Sequence, residues 1–221
     1  MNPEQDWLAD TRASYDTVAA DYADLVRGLL DRTPYERAML ALFADSVRAA
    51  GGGPVGDLGC GPGRITAHLH GLGLDVLGID LSPAMIDVAR GEHPGLDFRV
   101  GSMTELDLPD ASMAGLVAWY SLIHVPEAEL DRTLAHFHRV LRPAGPLLLA
   151  FHAGDETRLK TEGYGGHPMR LHVHLREPER LAERLAGAGF AVEARMTLTS
   201  AESALGAIVV ARREATQAAE A

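Results

Sequence analysis

The chain has little cysteine, a shortage of cations and no long apolar run. Cys60 is its single cysteine, which excludes an intrachain disulfide and suits a reducing, cytoplasmic setting. With 20 Lys+Arg against 31 Asp+Glu, the formal charge is −11, which argues against a nucleic-acid partner because phosphates attract basic surfaces. No apolar stretch nears the roughly 20 residues a bilayer span needs, so no membrane association is expected. The opening MNPEQDWLAD is acidic and lacks the apolar core of a signal peptide. Internal repeats are absent, as is the G-x-S-x-G of a serine hydrolase.

What is present suits a soluble α/β protein. The 221 residues, 47% hydrophobic with 23 glycines, are enough for one domain with a sizeable core. Short apolar runs alternate with helical periods over residues 54–151: 54–58, 74–79, 96–100, 113–120 and 147–151 read as strands. That alternation predicts a mostly parallel, doubly wound sheet with helices on both faces. Two further strands are expected over 189–198 and 204–211, and a frayed tail over 212–221.

The densest signal is PVGDLGCGPGRITAHL, residues 54–69. Asp57, Gly59, Gly61 and Gly63 alternate as D-x-G-x-G-x-G between a strand and a helix. Glycines there allow positive φ and close approach of a ligand to the backbone, and the helix opening beyond them directs free N–H groups into the turn. The loop lacks the G-K-[ST] ending of a P-loop. Counted from Gly59, the third glycine of a dinucleotide fingerprint would fall on Arg64. Asp80 ends the second strand 21 positions past Gly59, where a carboxylate can accept hydrogen bonds from both hydroxyls of a ribose.

Asp57, Gly59, Cys60, Gly61, Pro62 and Gly63 together resemble motif I of the class I, Rossmann-like methyltransferases that use S-adenosylmethionine. The resemblance covers roughly residues 15–210 and is specific over 54–125. It implies a seven-stranded sheet with an antiparallel edge hairpin, and S-adenosyl-L-methionine as cofactor. The implied cofactor contacts are Asp57, Gly59, Cys60, Gly61 and Gly63 at the methionine end and Asp80 with Leu81 at the ribose. Met85, Gly101, Ser102 and Met103 would hold adenine, although Ser102 stands where the family usually has an acidic residue. The stretch Tyr15-Asp16-Thr17-Val18-Ala19-Ala20-Asp21-Tyr22-Ala23 resembles a "YDxxAxxYA" lid, so residues 1–30 are expected to cover the cofactor through Tyr15 and Tyr22. The main domain is then 31–211.

Methyl transfer is an in-line displacement that rests on positioning, with a base where a proton must leave. His124, just past the fourth strand, is the candidate catalytic base. Tyr120, at the strand's end, is assigned to cofactor and substrate. His152 is a candidate for the same cleft. Residues 153–176 are expected to form a small substrate cap. Within it Arg170, His172, His174 and Arg176 alternate with Leu171, Val173 and Leu175. That polar face suggests substrate contacts from Arg170 and His172 with an anionic group. Metal is not expected, because arginines flank the histidines and no cysteine or carboxylate joins them.

The expected activity is methylation of an oxygen or nitrogen of a small-molecule acceptor by a monomer or homodimer. A nicotinamide-dependent oxidoreductase of similar sheet remains an alternative, although Y-x-x-x-K is missing. So does a non-catalytic cofactor-binding protein of the same fold.

Overall fold

A computed structural model describes residues 3–199 and 206–215, with side chains from residue 7 onward. Nine strands and six α-helices are described among them. In order they are α1 (Pro3–Val26), α2 (Pro34–Ala49), β1 (Pro54–Leu58), α3 (Arg64–Gly71), β2 (Asp75–Asp80), α4 (Pro83–Glu92), β3 (Asp97–Val100) and β4 (Gly115–Trp119). There follow α5 (Glu127–Val140), β5 (Pro146–His152), β6 (Thr157–Gly163), β7 (His167–His174), α6 (Pro178–Gly187), β8 (Phe190–Leu198) and β9 (Gly206–Arg213).

Seven strands form one sheet in the order β3-β2-β1-β4-β5-β9-β8. β1 to β5 run parallel, and β9 pairs antiparallel with both β5 and β8, so the expected edge hairpin is present. The chain reverses direction across the sheet between β1 and β4, the crevice where open α/β sheets bind ligands.

The sheet is buried from both sides by the alternation of its side chains. Leu58, Leu77, Leu116, Leu147 and Leu149 face one layer, where α5 supplies Leu130, Leu134 and Phe137 and α6 supplies Leu181 and Leu185. Val55, Val76, Val117 and Leu148 face the other, against Leu40, Phe43 and Val47 of α2 and Ile65 and Leu69 of α3. Burying each such side chain contributes about 1.5–3 kcal/mol.

In the sequence, Thr33-Pro34-Tyr35-Glu36 reads as a capping box that opens a helix with Tyr35, Met39, Leu42, Phe43 and Val47 on one side. The inward face of α2 differs from that reading. Tyr35 and Leu42 are exposed, while Glu36, Met39, Leu40, Phe43 and Val47 turn inward. Glu36 tolerates burial because it accepts the Tyr120 hydroxyl at 3.3 Å. The capping box read at Thr33 does not form either. The Thr33 hydroxyl donates back to the Leu29 carbonyl at 3.2 Å, finishing the 3₁₀ turn Leu29–Arg32.

Residues 153–169 have no clear period in the sequence, yet with the alternating stretch that follows they form regular structure. β6 and β7 make a separate antiparallel hairpin, and α1 packs on β7 through Val18, Met169 and Leu171. The helix and the hairpin together roof the carboxyl ends of the sheet strands. No described helix is long and apolar enough to cross a membrane.

Candidate active site

The site begins where β1 runs out. Gly59 takes φ +75°, and a Cβ on it would lie 2.3 Å from the Ser121 Cβ. Gly63 takes φ +83° as it caps α3, with the Phe98 ring 2.7 Å from where its Cβ would be. Only glycine fits either position. The Gly59 and Cys60 N–H groups both donate to the Ile79 carbonyl, at 2.7 and 3.1 Å, which ties the turn to β2.

Asp80 closes the turn from the other strand. Its carboxylate accepts the Gly61 N–H at 2.8 Å and the Ser82 N–H at 2.9 Å. Burial raises its pKa above the usual carboxylate range, and these two backbone donors pull against the rise. Ser82 caps α4 by accepting the Met85 N–H at 3.1 Å, and its hydroxyl donates to Asp16 of α1 at 2.6 Å. The roof helix is thus anchored at a helix N-terminus, where an acidic group is favoured.

Asp57 lies beneath the turn and is fully buried. One oxygen accepts the Thr66 hydroxyl at 2.6 Å, while Oδ1 has no partner among the described residues. Desolvation lifts its pKa to about 7, with Thr66 and Arg64 opposing the rise. Arg64, the first residue of α3, also buries an atom without a partner, Nη1. It follows directly on Gly63, the last glycine of the turn, and its charge lowers the pKa of Asp57. Cys60 packs with Ile86, Ala89 and Phe98, and burial pushes its thiol well up, so it is a buried packing group.

Roof and floor meet at His124. The Tyr15 hydroxyl lies 2.7 Å from Nε2, and Nδ1 lies 2.9 Å from the His172 carbonyl. A carbonyl only accepts, so Nδ1 carries the hydrogen and Nε2 accepts from the phenol. Desolvation lowers the imidazole pKa to about 4, keeping it neutral near pH 7. Burial likewise raises Tyr15, and Tyr22 is pushed up to about 12, so both phenols keep their protons. Tyr15, Tyr22 and Tyr164 stack edge to face, with centroids 5.8 and 4.8 Å apart.

Groups of this site line one cavity at the carboxyl ends of the strands. Of the residues singled out from the sequence, Tyr15, Tyr22, Gly59, Gly61, Asp80, Leu81, Met85, Gly101, Ser102, Met103, Tyr120 and His124 all line this one cavity. Asp57, Cys60 and Gly63 do not; they support the turn from below. His152 stands behind Tyr120, ring centroids 5.1 Å apart. Arg170 pairs with Asp10 at 2.8 Å on the outside of the roof. His172 contributes its carbonyl to His124, and its ring stacks on His174.

Arg176 departs from the shared face read in the sequence. It lies past the end of β7 and turns inward to Glu127 at 2.9 Å and to the carbonyls of Leu122 and Val125. It thereby braces the turn that carries His124. Among the described residues no group of three His, Cys, Asp or Glu side chains is placed to hold a metal.

The sequence reading missed Trp7, Leu8, Thr11, Thr104, Trp119, Ser121 and Val125 in the lining. Trp7, Thr11, Tyr15 and Tyr22 recur at spacings of four, four and seven, so the helical stripe was visible, although what it covers was not.

Comparison with known proteins agrees with this geometry. The family model described as a methyltransferase domain matches residues 55–145. An uncharacterised methyltransferase of Mycobacterium tuberculosis is 35% identical over 135 residues, covering 58% of this chain and 54% of its own. A demethylmenaquinone methyltransferase of Renibacterium salmoninarum is 31% identical over 141 residues, covering 64% and 58%. The chain spans a little over half the length of these relatives. The crystal structure of Burkholderia thailandensis 1,6-didemethyltoxoflavin N1-methyltransferase superposes with a TM-score of 0.71 at 23% identity, over 97% of this chain and 92% of that one. The [4+2]-cyclase SpnF shares the fold at a TM-score of 0.61 and 21% identity, over 81% and 82%, so the fold by itself does not name a reaction. Residues 55–145 thus match a methyltransferase domain, and the chain shares its fold with solved methyltransferases.

Proposed function

We propose that this protein transfers a methyl group from S-adenosylmethionine to an oxygen or nitrogen of a small molecule. The observation that carries this reading is the single cavity that joins the glycine turn, Asp80 and the Ser102–Met103 turn to His124. The residues fit the cofactor. Its methionine head is a zwitterion, and the two buried atoms without partners beside the turn are one of each sign, Asp57 Oδ1 and Arg64 Nη1. Each such atom is costly while unpaired. The Asp80 carboxylate has acceptor capacity left beyond its two amides, enough for two ribose hydroxyls. Met85 and Met103 line the same cavity with thioethers that suit the face of a flat base.

When bound, the sulfonium supplies an electrophilic methyl group. Roof helix α1, backed by the β6–β7 hairpin, covers the cavity, and Tyr15 and His124 are the groups assigned to meet the acceptor's proton. An oxygen or nitrogen forming a bond to carbon becomes strongly acidic, so a weak, neutral imidazole at Nε2 suffices to receive that proton. The demethylmenaquinone and didemethyltoxoflavin enzymes are named for small-molecule acceptors, which supports an acceptor of that size here.

The test is calorimetric titration with S-adenosylhomocysteine, beside the Asp80→Ala variant. Micromolar binding that collapses in the variant is expected. Absence of binding to the unaltered protein overturns the reading.

A further inference from the structure

The charge inventory of the cavity constrains the acceptor, given the methyl-transfer reading above. Apart from Asp80, which is assigned to the ribose end, no described residue of the lining is an aspartate, glutamate, lysine or arginine. The cations are spent elsewhere: Arg64 is assigned above to the methionine head, Arg170 pairs with Asp10 and Arg176 with Glu127. Lys160 sits 3.7 Å above the Tyr164 ring, outside the lining. Burial keeps His124 uncharged near neutral pH.

The polar side chains of this half are largely engaged, apart from Trp119 Nε1, a neutral donor buried without a partner among the described residues. The Thr11 hydroxyl donates to the Trp7 carbonyl at 2.7 Å, Ser121 to the Leu58 carbonyl at 2.5 Å, and Tyr120 to Glu36. What faces the space under β4 is therefore Trp7, Leu8, Tyr15, Trp119, Tyr120 and Val125, apolar and mostly aromatic. A carboxylate or phosphate here would lose its water with no cation to meet it, which disfavours its binding. Flat rings gain from such walls through face and edge contacts. One hydrogen bond can be exchanged at the imidazole, that from Tyr15 Oη to His124 Nε2, and the displaced phenol is then the group left without its partner.

We infer that the acceptor is an uncharged, flat aromatic molecule whose hydroxyl takes the place of Tyr15 Oη at His124 Nε2. The balance of the step follows. The acceptor oxygen gains the methyl, the carbon–sulfur bond breaks to leave a neutral thioether, and the hydroxyl proton passes to Nε2. One positive charge enters as sulfonium and one remains as imidazolium, so the cavity's net charge is unchanged.

A matched pair of probes tests this on protein loaded with S-adenosylhomocysteine: methyl 4-hydroxybenzoate, which is neutral, and 4-hydroxybenzoate, which carries a carboxylate. At pH 7 the ester is expected to bind at least about tenfold more tightly, a difference of ~1.4 kcal/mol or more. Leu8→Lys, which adds an ammonium to the wall, is expected to narrow or reverse that preference. Tyr15→Phe removes the competing hydroxyl and is expected to tighten binding of the ester. Equal or tighter binding of the carboxylate by the unaltered protein overturns the inference, as does failure of both probes on protein that has taken S-adenosylhomocysteine. A weaker ester in Tyr15→Phe overturns the displacement at Nε2. Failure to bind S-adenosylhomocysteine instead counts against the methyl-transfer reading itself.

Discussion

Tyr15 and His124, 109 positions apart, share a hydrogen bond of 2.7 Å that joins the roof helix to the end of β4. The same imidazole holds the β6–β7 hairpin through the His172 carbonyl at 2.9 Å, so one neutral side chain fastens both parts of the roof.

That arrangement depends on pH. The His124 pKa falls from an ordinary 6.5 to about 4 in the folded protein, so the unfolded chain binds its proton first as pH drops. Its burial costs nothing above pH 6.5 and progressively more down to about pH 4, up to about 3 kcal/mol. Asp57 slopes the opposite way over part of that range, so the effect is read as a difference between two proteins. The melting temperature of the unaltered protein minus that of His124→Gln is expected to shrink between pH 7 and pH 4.5 by thermal denaturation.

Asp57 predicts a second pH dependence, in binding. Its carboxyl titrates at about 7, and only the ionised form attracts an ammonium. Affinity for S-adenosylhomocysteine is expected to weaken as pH falls from 8 to 6. Asp57→Asn should bind more weakly and without that slope. Methylthioadenosine, which lacks the amino-acid head, should bind both proteins independently of pH in this range. Calorimetry at three pH values decides it.

Arg64 has a cleaner signature. Arg64→Gln keeps the helix start and removes the charge, so S-adenosylhomocysteine should bind about ten- to a hundredfold more weakly, the ~1.5–3 kcal/mol scale of a charge-assisted hydrogen bond. Methylthioadenosine should be unaffected. Equal losses for both ligands would mean that Arg64 merely supports the turn.

The turn itself is intolerant of a side chain at Gly59. Gly59→Ala meets the Ser121 Cβ at 2.3 Å and is strained at φ +75°. The backbone part alone costs about 1–3 kcal/mol. Adding Ser121→Gly should recover the steric part and leave the backbone part, as read by urea denaturation.

Much of this was legible along the chain because its causes are local. Positive φ at Gly59 and Gly63, the carboxylate at the end of β2 and the apolar strand runs are written in neighbouring residues. Where the reading slipped, at Tyr35 against Glu36, the deciding contact was distant: the Tyr120 hydroxyl, 84 positions away, holds Glu36 inside. The hairpin β6–β7 was hidden because one of its strands is almost wholly exposed and carries no apolar alternation.

By itself, then, the sequence determined the alternating parallel sheet, the glycine turn and the carboxylate beside it, since backbone conformation and burial period act over a few residues. Tertiary structure alone decided which polar side chains face the cavity. Arg170 and Arg176 alternate on paper, yet Asp10 draws one to the outer surface and Glu127 with two carbonyls draws the other into the frame. A charge goes where its partner lies, and those partners are 160 and 49 positions away.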